Sequence, residues 1–220
     1  MSEINVNHPT EDVLVFDDML SPVGTAKRGV ANMFGLWHFC GQCWIVRRDH
    51  EGCGSVVFQK RSPEKKVAPN LFDVSASGTV MVGATTIDTA ISEANEELGI
   101  ELKKSELINA GRRIDLFRKG DVLSRIFADV FFCINDQPLE SYQFDRHELS
   151  GIAEISISSG LDLFTGRTDR IEVTIFEGAE RGNSKLSVAR DDFILRYDKY
   201  YLKVFRSAAD LLSGNSEIAI

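Results

Sequence analysis

The chain has 220 residues, 43% of them hydrophobic and 26% charged, with a formal net charge of −8. That length suits one domain with a substantial core, and the acidic balance argues against a nucleic-acid-coating or membrane-surface role. No apolar run approaches a membrane span, and the opening MSEINVNHPTED lacks the basic and apolar regions of a signal peptide, so a cytoplasmic chain with neither membrane nor nucleic-acid partners is expected.

Residues 11–30 read as a hairpin. Val13 to Phe16 is a short apolar strand, Asp17-Asp18 begins a turn, and Pro22 and Gly24 punctuate the returning arm. A core strand then runs through Leu36-Trp37-His38-Phe39 and on into CGQCWIV. Cys40 and Cys43 have the spacing of a redox pair or half a zinc site, but residues three apart on a strand point to opposite faces. Cys53 and Cys133 stand alone in the sequence, so reduced cysteines packed as small apolar groups are expected. A second strand, Ser55 to Lys60, leads into a polar loop carrying Arg61, Lys65, Lys66 and Pro69. These cations either hold a phosphate-rich ligand or form a solvated turn; their place just before the next motif favours the first reading for Arg61.

Gly78 to Ile100, GTVMVGATTIDTAISEANEELGI, organises the rest. Its second half reads as a helix, capped by Thr85 with Asp88 three residues on and closed by Gly99. Ile87, Ile91, Ala94 and Leu98 form one apolar stripe. Beside it, Glu93, Glu96 and Glu97 crowd three carboxylates onto one patch. Like charges at these spacings each cost roughly 0.2–0.5 kcal/mol, and no Lys or Arg between Thr85 and Leu98 offsets them. The helix dipole at that end also disfavours anions. A hard divalent cation would reverse the sign, since carboxylate oxygens are what Mg²⁺ or Mn²⁺ prefers. The bland alternative is a solvated helix end.

Downstream, Leu107 to Phe117 and Ser124 to Ile134 read as strands around the turn Arg118-Lys119-Gly120-Asp121. A polar loop, Asp145 to Gly151, precedes a strand from Ile152 to Ile157. Leu161 to Gly166 reads as a short helical turn and Arg170 to Phe176 as a strand. A terminal helix is expected over about 191–212, capped by Asp191-Asp192, with an aromatic stripe through Phe193, Tyr197, Tyr200, Tyr201 and Phe205. Gly214 to Ile220 should be loose. Nothing demands a second domain, so 1–220 is expected to be one.

The spacing of Gly78, Glu93, Ala94, Glu96, Glu97, Gly99 and Ile100 resembles the Nudix box. Two positions depart from it. Ala84 stands where that family usually has a loop glutamate and Ser92 where it has arginine; the two usually pair with one another, so losing both leaves no orphan charge. The resemblance implies an α/β (α+β) Nudix fold, a mixed β-sheet sandwiched between helices, here with an extra C-terminal helix. It also implies Mg²⁺ or Mn²⁺ held by Glu93, Glu96 and Glu97, with Glu148 as a downstream ligand or base and His147 and Asp145 as alternatives. The implied reaction is hydrolysis of a diphosphate bond in a nucleoside-diphosphate-linked or similar small molecule. Glu93 or Glu97 would take the proton of water, and Arg61, Lys65, Lys66 and Gly78 would lie at the substrate. Relatives often dimerise, which leaves a homodimer open.

The hairpin, the histidine-led strand and the Gln59-x-Arg61-Ser62 run resemble the branch related to isopentenyl-diphosphate isomerase. That enzyme has a cysteine and a metal-binding histidine flanking the glycine equivalent to Gly78. Val74-Ser75-Ala76-Ser77-Gly78-Thr79 has neither, and Asn32 is the nearest polar candidate for its other upstream ligand. Isomerase chemistry therefore lacks a carrier, and His38 reads as a packed strand histidine. The rival from another class is a catalytically silent module that keeps the fold and binds a diphosphate ligand, with Ala84 and Ser92 as its support.

Overall fold

The computed structural model describes residues 12–48, 54–119 and 122–220. A two-stranded antiparallel hairpin, β1 (Asp12–Phe16) and β2 (Pro22–Lys27), opens the chain as expected. An unexpected seven-residue helix follows, α1 (Arg28–Phe34), ended by Gly35 in the left-handed conformation at φ 61°. β3 (His38–Arg47) and β4 (Ser55–Arg61) come next, then two short strands, β5 (Phe72–Asp73) and β6 (Ala76–Thr79). After α2 (Thr86–Leu98) the long strands β7 (Ile108–Lys119) and β8 (Val122–Ile134) form an antiparallel pair, whose connecting residues 120–121 lie outside those described. The chain continues through β9 (Leu149–Ser156), α3 (Ile157–Thr165), β10 (Arg170–Phe176), β11 (Asn183–Ala189) and α4 (Tyr200–Leu212).

Nine strands make one mixed sheet in the order β11-β10-β9-β4-β3-β8-β7, with β5 on β4 and β6 on β3. β3 runs parallel to β8 and antiparallel to β4 and β6. Being central, it is buried on both faces, which is why HFCGQCWIV reads as a nearly unbroken apolar run. On one face Cys43, Ile45, Val57 and Phe131 pack under Ala90, Ala94 and Leu98 of α2. On the other, Trp44, Phe58, Phe132 and Ile155 pack under α3 and α4, with Tyr200, Tyr201 and Phe205 at the centre of an aromatic cluster. The sheet is thus sandwiched between helices.

One glycine decides how closely α2 approaches. A Cβ on Gly41 of β3 would overlap the backbone carbonyl oxygen of Thr86. Backbone atoms cannot swing away, so Gly41→Ala is expected to lower stability by about 1–3 kcal/mol, read as a reduced urea midpoint at unchanged slope.

Three expectations change. Residues 190–192 form an isolated 3₁₀ turn, in which the Asp192 carboxylate accepts from the Ala189 N–H at 2.7 Å. The terminal helix therefore starts at Tyr200 rather than near 191, and Phe193 and Tyr197 lie outside it. The tail is not loose: Ile218 is buried, the Ile220 N–H donates to the Ala110 carbonyl at 3.0 Å, and Ser207 Oγ donates to the Ala219 carbonyl at 3.0 Å. Nor does Cys133 stand alone, since its sulfur lies 3.9 Å from that of Cys43, both reduced and buried. Cys53 is outside the described residues. Among the described residues no helix is long and apolar enough to cross a membrane.

Candidate active site

The acidic patch is built by α2 lying over β6. Thr85 caps the helix, its Oγ1 accepting from the Asp88 N–H at 3.2 Å, and Gly99 closes it at φ 68°. With both ends fixed and Ala90, Ala94 and Leu98 buried against β3, Glu93 and Glu97, one turn apart, face β6 and the end of β4. The Glu93 carboxyl occupies the space above Gly78, where a Cβ would overlap it. Glu97 Oε2 accepts from the Ser77 backbone N–H at 3.0 Å and from Gln59 Nε2 at 3.3 Å.

Two carboxylates are thus pressed together in a partly enclosed place. Burial first, and the charge of Glu93 second, push the Glu97 carboxyl up to about 8; the Ser77 N–H and Arg61 oppose this without cancelling it. Arg61 donates through Nε and Nη2 to the Val67 carbonyl at 3.2 and 3.0 Å and lies 4.0 Å from Asp73.

The other expected site residues are placed differently. Glu96 is exposed and accepts from Ser92 Oγ at 2.7 Å, so the serine replacing the family's arginine engages the middle glutamate. Glu148 forms an ion pair with Lys65 of the loop after β4. Lys66 is exposed. His147 Nδ1 donates to the Glu64 carboxylate at 2.8 Å, and its backbone N–H donates to Asp145. As these side chains stand, no three His, Cys, Asp or Glu among the described residues converge closely enough to hold an ion. The structure brings together Glu93 and Glu97, and neither Glu96 nor Glu148 with them.

A two-carboxylate site still fits Mg²⁺. That ion keeps several waters and is ordinarily held by one or two carboxylates plus substrate phosphates rather than by an all-protein cage. The donor set here, hard oxygens whose charges repel in the absence of a cation, suits it.

Sequence reading missed the neighbours of this pair. Gln59 reaches Glu97 only because the register of β4 and β5 sets it opposite Asp73. The side chain of Arg196, in the loop before α4, is buried between Asp73 at 2.7 Å and Asp115 at 2.5 Å. Arg113 binds Asp198 through two nitrogens at 3.0 and 3.1 Å and stacks on the Tyr200 ring at 4.0 Å. The three Arg–Asp pairs named here join residues 81 to 123 positions apart, and no local pattern announces them. His38 is buried as expected: Nδ1 meets the Leu36 carbonyl at 2.8 Å, and burial pulls its pKa below the ordinary value.

The chain matches no protein-family model. It is 33% identical over 200 residues to an uncharacterised Nudix hydrolase of Clostridium acetobutylicum, covering 89% of this chain and 96% of that one. A shorter match, 33% over 100 residues, joins 45% of this chain to 52% of an isopentenyl-diphosphate Δ-isomerase of Paenarthrobacter aurescens. Among solved structures, a Deinococcus radiodurans protein superposes with a TM-score of 0.54 at 21% identity, over 71% of this chain and 90% of that one. A Nudix hydrolase of Alicyclobacillus acidocaldarius gives 0.52 at 11% identity, over 83% and 97%. The two structures share the fold.

Proposed function

The chain belongs to the Nudix hydrolase family, and from that premise we propose that it hydrolyses a diphosphate bond in a nucleoside-diphosphate-linked or similar small molecule, dependent on Mg²⁺ or Mn²⁺. One observation carries the reading: Glu93 and Glu97 crowd their carboxylates at Gly78, with the proton affinity of Glu97 raised. When bound there, a divalent cation supplies positive charge against the phosphates and makes water more acidic.

The chain's own groups do the rest. Glu93 and Glu97 would hold the cation, with Glu96 turned away to Ser92 on the exposed side. Gly78, lacking a side chain, leaves room for Glu93 and for close approach of backbone to phosphate. Whichever of Glu93 and Glu97 the cation leaves free would take the proton of the attacking water. Arg61, the last residue of β4, and Lys65 and Lys66 on the loop after it would bring positive charge to the substrate side, where Glu148 tempers Lys65.

Isomerisation has no support at this site. Cys40, on the neighbouring strand beside the Gly41–Gly78 pair, is a thiol whose pKa burial drives far upward, which keeps it neutral.

The test is a screen of nucleoside diphosphate derivatives for Mg²⁺-dependent cleavage. Turnover of at least one compound, lost on chelation, is expected. Ligand-induced stabilisation without turnover across the panel would instead support a silent binding protein.

A further inference from the structure

A cavity of about 280 Å³ opens between the N-terminal hairpin and the start of α2, lined among others by Phe16, Phe39, Val80, Ala84, Arg112 and Asp129. One wall is apolar and aromatic, and Thr85, Thr86 and the Arg112–Asp129 pair make the other polar. Phe39 is set edge-to-face against Phe16, centroids 4.8 Å apart. Arg112 lies over the Phe39 ring at 4.5 Å. The guanidinium plane is pinned because Nε and Nη2 donate to the two oxygens of Asp129 at 2.5 and 3.0 Å, while Thr86 Oγ1 donates to Asp129 at 2.8 Å.

We propose that this cavity is the subsite for a planar nitrogen heterocycle, the base of a substrate whose diphosphate lies over Glu93 and Glu97. The inference rests on the hydrolase reading above. A guanidinium held over an aromatic ring and pinned by a carboxylate can stack on a further ring, and the Arg112 side chain remains 42% exposed to receive one. Asp129 takes two of its five N–H groups, leaving donors beside a carboxylate oxygen, Oδ1, that accepts one of these bonds. A donor next to an acceptor is the pattern that the edge of a nucleobase complements. The volume is at the small end for ligand sites, enough for one ring system rather than a whole substrate.

Position and sequence agree with this. The Val80 N–H donates to the Phe39 carbonyl at 2.9 Å, and Val80 lies two residues beyond Gly78, about 7 Å along the strand. Thr86 is about 10 Å along α2 from Glu93. The cavity and the carboxylates are therefore a short phosphate linker apart. Ala84 is among the lining residues, so this departure from the family pattern puts a small side chain at the cavity.

The test is an NMR titration of the Mg²⁺-loaded protein, carrying labelled Phe and Arg side chains, with ADP-ribose, CDP-choline, UDP-glucose and GDP-mannose. At least one compound is expected to shift the Phe39 ring and Arg112 Nε signals saturably. Arg112→Gln and, independently, Asp129→Asn should weaken that Kd by about tenfold or more while Mn²⁺ affinity stays within about twofold. If none of the four moves those signals, or if Arg112→Gln binds as tightly as the parent, the subsite is refuted. Saturable binding there with no cleavage leaves the subsite standing and removes the hydrolase reading. Cleavage unchanged by Arg112→Gln does the reverse.

Discussion

Replacing Glu93 or Glu97 with glutamine is expected to lower kcat by about 10²–10⁴-fold while leaving the fold intact. Each change keeps the shape of the side chain and removes one of the two charges above β6. Because the neutral amide suits the metal-free site at least as well as the carboxylate, thermal unfolding should show no loss of stability. Gly78→Ala should have a similar effect by displacement: the added Cβ would overlap the Glu93 carboxyl, which can swing away, so the protein folds but loses that ligand. Steady-state rates with the best compound from the substrate screen, beside melting curves of the same preparations, check all three. Glu96→Gln should cost less, since Glu96 is turned to Ser92 on the exposed side.

The second large effect is on stability against pH in the metal-free protein. The folded-state pKa of Glu97, about 8, is above its ordinary 4.5, so the folded protein holds this proton where the unfolded chain has released it. The stabilisation is complete below the ordinary value and is lost as pH rises through about 8. The expected loss is on the order of a few kcal/mol, or roughly 5–10 °C in Tm for a chain of this length. Glu97→Gln removes the titration, so the Tm difference between variant and parent should grow from pH 5 to pH 8.5. Saturating Mg²⁺ should raise the parent's Tm most at the alkaline end, where the carboxylate is charged, and raise the Glu97→Gln variant far less. Parallel pH profiles of parent and variant would contradict this.

What the sequence made legible was what neighbouring residues determine. The caps of α2 at Thr85 and Gly99, its apolar stripe, the strand from Arg170 to Phe176 and the long β7–β8 pair follow from local pattern, and each is found close to its expected place. The box spacing located Glu93 and Glu97 because a helix brings residues four apart onto one face. The acidic side chains on loops were another matter. Whether Glu148 approaches the helix depends on how β9 meets β4, and there Lys65 captures it. Glu96 shares its helix with the other two, yet its place one residue before Glu97, about 100° round the helix, and its bond to Ser92 turn it outward. The terminal helix was extended too far because Phe193 and Tyr197 continue its aromatic spacing, whereas Phe193 instead packs on Phe58 and Phe72. Arg196, one residue from exposed Tyr197, turns inward to two buried aspartates that only the folded sheet assembles.

The most direct test is anomalous scattering from a crystal soaked in Mn²⁺. A peak is expected between the Glu93 and Glu97 carboxylates beside Gly78, absent from Glu93→Gln crystals treated in the same way. Density showing both carboxylates turned away from one another with no ion between them, at a Mn²⁺ concentration that supports turnover, would contradict the account.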